Sequence, residues 1–245
     1  MAKKSRCISM KSRNKKARVA GLLYLLLVIT GMIYLVYIPS QLIGESATTT
    51  VANIRNSEWL FRLEIIVGII SSVIFIFLPL ALYRLLHEVN KTHASLMVLF
   101  ALLSVPISFV NFLNKFSVLT LITKPEYLEK LGESNLQTQV MLQLENYSTG
   151  LTVLQVFWGL WLFPFGYLVY KSGFLPKLLG IFLMAGCFGY LINFFGGFLY
   201  SGFHTTILSD ITGMPAPLGE IGICLWLLIM GTNKLSFGKT AVAKT

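Results

Sequence analysis

The fold is decided first by the stretch VAGLLYLLLVITGMIYLVYI, residues 19–38, which contains no charged side chain. A helix needs about 20 mostly apolar residues to cross the roughly 30 Å of a bilayer's hydrocarbon core, and helices satisfy their own backbone hydrogen bonds there. The run is longer than the roughly 7 to 15 apolar residues of a cleaved signal peptide, and no A-x-A site follows it. It therefore predicts an uncleaved first membrane span.

Five further apolar stretches follow, separated by polar turns. They cover residues 65–82, 95–114, 151–170, 178–199 and 211–230. Hydrophobic residues make up 55% of the chain and charged residues 12%, which leaves too few polar groups to cover a soluble domain. We expect an all-α, polytopic membrane bundle of six transmembrane helices over residues 19–231, with tails at 1–18 and 232–245. Short interfacial helices are expected over residues 46–56 and from Ser134 onward, in the long segment 115–150.

Nearly all of the excess positive charge lies on one side of these spans. Eight of the 20 lysines and arginines precede residue 19, and the later segments on that side raise its total to fifteen, against one acid, Glu88. By the positive-inside bias, both termini are predicted to be cytoplasmic, which requires an even number of spans. The net charge of +10 is thus explained by topology and contact with anionic lipid. The lipid bilayer is the expected partner, and nucleic acid is not.

Three local sequences resemble a known family. They are RVAGLLYLLL (18–27), WLFR (59–62) and, most specifically, FWGLWLFPFGYLVYKSGFLPKLLG (157–180). Together they are similar to an uncharacterised bacterial integral-membrane family, domain of unknown function 4386, and the resemblance extends from about residue 15 to 232. It implies a multi-span protein of the bacterial cytoplasmic membrane and implies no activity, substrate or catalytic residue. Glu64 departs from the family pattern, in which a smaller or apolar residue is expected.

Polar residues at membrane depth are costly and need a partner, a pore or a function. In the third span, Ser104, Ser108, Asn111 and Lys115 recur at helical spacing and form one polar stripe. Counting about 1.5 Å per residue from the span ends places the ionisable residues in the outer half of the membrane. The expected outward-facing polar pocket contains Arg62, Glu64, Asn111, Asn114, Lys115, Gln155, Asn193 and Glu220. Within it, Lys115 is expected to pair with Glu64 or Glu220.

The same residues allow a purely structural interpretation. Lys115 and Arg62 would then extend to the lipid headgroups, while the amides and small residues hold helices together. The pocket favours a small-ligand-binding or transporter-like bundle; the structural interpretation favours an accessory or assembly protein without catalytic or transport chemistry. A membrane-embedded enzyme is the least favoured class, because the outer level offers no histidine, cysteine nucleophile or metal cluster, and soluble-enzyme motifs are absent. No metal or cofactor is expected.

Overall fold

The computed structural model describes the backbone of residues 2–232 and the side chains of residues 12–232. The described part is almost entirely helical and contains no strand. Its elements are α1 (Ala2–Met32), a π-helical segment (Ile33–Tyr37), α2 (Ile38–Leu42), α3 (Ala47–Asn56), α4 (Glu58–Leu86), α5 (Lys91–Thr123), α6 (Pro125–Lys171), α7 (Lys177–Leu199), a 3-10 turn (Phe203–Thr205), α8 (Ile207–Gly213) and α9 (Pro215–Ile229).

Six helical stretches in the described residues are long and apolar enough to cross a membrane. They are Ser12–Leu42, Glu58–Leu86, Lys91–Thr123, Pro125–Lys171, Lys177–Leu199 and Ile207–Ile229. The first span consists of most of α1, the π-helical segment and α2, and the sixth consists of α8 and α9. The predicted all-α bundle of six spans is therefore confirmed.

The six spans form a closed ring that follows the order of the chain. Each span packs against the next, and α9 packs back against α1. Gly21 makes this closure possible, because a Cβ atom there would lie 2.6 Å from the backbone nitrogen of Leu228 on α9. The thiol of Cys224 also lies 3.8 Å from the carbonyl oxygen of Gly21, as a hydrogen-bond donor. Every span is thus placed to contribute to the centre of the bundle.

The long loop expected over residues 115–150 is absent. Instead α5 continues to Thr123, and α6 begins at Pro125, where a proline in the first turn costs no helical hydrogen bond. The break in α6 falls at Gly132, whose φ of +71° is a left-handed conformation that favours glycine. Apolar residues continue past Asn114 at helical spacing, so the helix extends well beyond the predicted end of the third span. The expected helix over residues 46–56 is present as α3, capped by the Ser46 side chain, which accepts from the Thr49 amide.

The two ends of the bundle differ in charge. At one of them, which we call the basic end, the amide of Thr232, the last described residue, donates to Oδ1 of Asn14, near the start of the first span, at 2.7 Å. The described basic residues there are Arg13, Lys15, Lys16, Arg18, Arg84, Lys91, Lys171 and Lys177. At the opposite end, α3 contacts α6 through an ion pair between Arg55 and Glu133 at 2.7 Å. Residues 2–18, predicted as a tail, are helical and continuous with the first span, and residues 233–245 of the predicted C-terminal tail lie outside the described residues.

Candidate functional site

An ion pair is buried between α4 and α5. Nζ of Lys115 donates to Oε1 of Glu64, and only 4% and 2% of these two residues are exposed. The ammonium also lies over the ring of Tyr147, 4.5 Å from its centroid, and over the ring of Phe61 at 5.2 Å. One carboxylate and two aromatic faces therefore stabilise a charge that would be costly alone. The expected pairing of Lys115 is confirmed with Glu64 as the partner, and the alternative in which Lys115 extends to the headgroups is wrong.

Two amides extend this cluster along α5. Nδ2 of Asn111 donates to the carbonyl oxygen of Tyr147 at 2.9 Å, and Nδ2 of Asn114 donates to Oδ1 of Asn111 at 3.1 Å. Gly150 on α6 lies directly against the Asn111 amide, so that a Cβ atom at this position would collide with it. The crevice between Asn111, Tyr147 and their neighbours is too narrow to hold a water molecule. The cluster is consequently a packed contact between helices and not an open pocket.

The open space lies instead in the middle of the ring, as a cavity of about 150 Å³. All six spans line it, through Tyr34, Ser71, Ser108, Trp161, Tyr190 and Glu220 in chain order. Trp161 is the largest of the fully buried side chains. Because every span contributes, a molecule in this cavity would contact the whole ring at once.

Glu220 is the only acidic residue among the described residues that line the cavity, and no lysine, arginine or histidine lines it. The hydroxyl of Tyr24 donates to Oε1 of Glu220 at 2.9 Å. No other hydrogen bond to this carboxylate is formed by the described part of the chain. Tyr190, on the cavity wall, lies close enough to Glu220 for the two groups to interact electrostatically. The cavity is therefore a mostly apolar space with one carboxylate and several hydroxyls.

Aromatic layers bound the cavity on two sides. Toward the basic end lies the inner layer, formed by Tyr24, Phe75, Trp161 and Phe165, with ring centroids 5.2 to 6.4 Å apart. Toward the opposite end lies the outer layer, formed by Tyr34, Phe112 and Tyr147, with centroids 5.9 and 6.3 Å apart. Ten residues of helix, or about 15 Å, separate Tyr24 from Tyr34. The cavity thus has a layer of packed rings on either side of it along the axis of the bundle.

The outer layer depends on two local features. Tyr34 lies in the π-helical segment, an irregularity that occurs frequently at functional sites. Phe112 packs against Gly68 of α4, where a Cβ atom would lie 2.5 Å from Cζ of the ring. A larger residue at position 68 would push this ring away from Tyr34.

Glu220 is not at the level of Lys115, contrary to the expected common pocket. The sixth span was expected to begin at Ile211, which would place Glu220 about 14 Å inside the membrane. In the structure this span begins with α8 at Ile207, so that Glu220 lies about 20 Å along it. Its carboxylate reaches Tyr24 of the first span and lines the central cavity.

Three other expected pocket residues lie elsewhere. Nε of Arg62 donates to Glu58 at 2.6 Å, one helical turn away, and both side chains are substantially exposed. Asn193 joins α7 to α8: its Nδ2 donates to Oγ1 of Thr212 at 3.0 Å, and its Oδ1 accepts from Ser209 at 2.6 Å. Gln155 is half-buried on α6 and forms no side-chain hydrogen bond with the described residues. The predicted single pocket is therefore divided between a packed cluster, the central cavity, the exposed surface of α4, the contact between α7 and α8, and a half-buried position on α6.

The aromatic residues of the cavity were missed by the search for polar side chains at membrane depth. Trp158 and Trp161 offered a signal, because tryptophan in membrane helices is concentrated at the two interfaces, whereas these two lie in the middle of an apolar stretch. Among the described residues, no three His, Cys, Asp or Glu side chains are grouped so as to hold a metal ion.

Fold and composition define this chain as a multi-pass helical membrane protein. The family described as Domain of unknown function (DUF4386) matches residues 19–231, and the chain belongs to this family. It is also similar to a protein of Archaeoglobus fulgidus titled "Uncharacterized protein", with 33% identity over 172 residues, which cover 70% of this chain and 85% of that relative. No solved structure matches the chain.

Proposed function

We propose that this protein is a small-molecule-binding membrane protein of the transporter type, with its ligand in the central cavity. The observation that carries the proposal is that all six spans line this one cavity. A ligand there would interact with every helix of the ring, so that binding can shift the helices relative to one another. Substrate sites of membrane transporters commonly lie near the bilayer midplane between helices.

The two aromatic layers lie where the gates of such a transporter are needed, one on each side of the cavity. A transporter must close its site toward one side while it opens toward the other, and each layer is formed by rings from at least three spans. Local irregularities can absorb the movement. The first span contains the π-helical segment, and the next three spans each contain an internal proline, Pro79, Pro106 and Pro164, which removes one helical hydrogen bond.

The charge distribution supports an orientation and a location. Described basic residues surround the basic end, where Thr232 contacts Asn14. By the positive-inside bias, the basic end faces the cytoplasm and the protein resides in the cytoplasmic membrane. The outer aromatic layer then faces the exterior.

An accessory protein would use its outer surfaces and would gain nothing from a carboxylate in a central cavity, because such a group is expensive in hydrocarbon. This cost favours the binding function over the accessory function. Ser71 of α4 lines the cavity. A cysteine at this position can therefore distinguish the binding function from the accessory function by its reaction with solutes.

The test is thiol labelling of Ser71→Cys after the native cysteines have been replaced by alanine. The full-length protein is placed in sealed vesicles of both orientations and treated with a membrane-impermeant methanethiosulfonate. We expect modification in both orientations, because the cavity opens alternately to each side. Ser104→Cys is the matched control, since Ser104 is fully buried on α5 and does not line the cavity; it should not react.

Each outcome decides the proposal. Labelling from one side only would support ligand binding and overturn transport. If Ser71→Cys is as inert as Ser104→Cys from both sides, the cavity is closed to solutes and the accessory function becomes the better conclusion.

A further inference from the structure

The protein shows within its own fold how it holds a buried ammonium group. Lys115 places its ammonium on the Glu64 carboxylate and against the faces of Tyr147 and Phe61. A carboxylate supplies the opposite charge, and the negative faces of aromatic rings add attraction where water is excluded. This arrangement stabilises a cation in an environment where an unpaired charge would be costly.

The central cavity repeats these groups without a cation of its own. Glu220 supplies a carboxylate, and Trp158, Trp161 and Tyr190 supply aromatic side chains on the same walls. Tyr24 satisfies Oε1 of Glu220 by donating a hydrogen bond, but it brings no positive charge. Lys115 cannot serve as the counter-ion, because it already pairs with Glu64.

We infer that the cavity binds a small organic cation, a protonated amine or a quaternary ammonium, with Glu220 as its counter-ion. This inference rests on the proposed function and adds the chemical class of the ligand. A cavity of about 150 Å³ is of the size that holds benzene in a protein interior, which corresponds to a cation of about six non-hydrogen atoms. Hard inorganic cations such as Ca²⁺ require about six to eight oxygen ligands, whereas these walls are largely aromatic and aliphatic.

Two readouts on the full-length protein in detergent test the inference. In the first, Ser71→Cys in the cysteine-free background is labelled with trimethylammonioethyl and with sulfonatoethyl methanethiosulfonate, each rate being divided by that for a free thiol in solution. We expect the cationic reagent to react at least about tenfold faster, because Glu220 lines the same cavity as position 71 and opposite charges attract strongly in a site of low dielectric constant. Glu220→Gln should abolish this preference. Glu58→Gln, the same change at an exposed position on α4, should leave it unchanged.

The second readout is the melting temperature in the presence of tetramethylammonium, choline and 3,3-dimethylbutan-1-ol, the neutral isostere of choline. We expect the cations to raise the melting temperature of the parent but not of Glu220→Gln, and the neutral alcohol to have no effect. Equal labelling rates for the two reagents, or equal stabilisation by choline and its isostere, would overturn the cation inference and leave the binding function standing. Absence of any labelling at position 71 would overturn both.

Discussion

Lys115 and Glu64 form an ion pair that joins the third span to the second in the interior of the bundle, and almost none of the surface of either residue is exposed. Lys115 lies two helical turns before the end of α5 at Thr123. The pair is the only charge compensation that the described residues offer to either partner.

Removal of one partner should destabilise the protein strongly. Lys115→Met leaves the Glu64 carboxylate buried and unpaired, which typically costs about 3 to 5 kcal/mol. We expect a large fall in the melting temperature of the detergent-solubilised protein, and the double variant Lys115→Met/Glu64→Leu should recover part of it. Arg62→Met is the control, because the exposed pair of Arg62 with Glu58 should contribute about 0 to 1 kcal/mol. A Lys115→Met protein that melts with the parent would contradict this account.

The ion pair was predictable from the sequence, whereas the cavity was not. Helical spacing placed Asn111 and Lys115 on one stripe, and counting residues from the span ends brought Glu64 to the same level. The same count failed for Glu220, because the sixth span begins earlier than its apolar pattern indicates. The span includes α8, and the apolar pattern is interrupted between α8 and Pro215, where α9 begins. Periodicity also shows which face of a helix is polar, but it does not show whether aromatic rings such as Trp161 pack together or leave space between them.

Closure of the ring between the first and sixth spans depends on the absence of a side chain at position 21. Gly21→Ala would place a methyl group 2.6 Å from the backbone of α9, and overpacking of this kind costs about 1 to 3 kcal/mol. We expect a lower melting temperature in detergent. Gly31→Ala is the matched control in the same helix, because no atom lies within 4 Å of the added methyl group; there the higher helix propensity of alanine should leave stability equal or slightly greater. The opposite order of the two variants would show that α1 and α9 are not in close contact.

The orientation of the ring is tested by reporter fusions at Glu45, Asn90 and Lys124, which lie between helices, and at Lys244, which lies outside the described residues. Fusions after Asn90 and after Lys244 should report the cytoplasm, because basic residues concentrate on that side of the spans. Fusions after Glu45 and after Lys124 should report the exterior, since Glu45 follows the first span and Lys124 follows the third. Each is thus separated from the cytoplasmic N-terminal side by an odd number of crossings. A reversed pattern at all four points would place the basic end outside, and the outer aromatic layer of Tyr34, Phe112 and Tyr147 would then face the cytoplasm. Entry to the cavity past Phe112 would in that case be an intracellular route, and the two vesicle orientations of the labelling experiment would exchange their meaning.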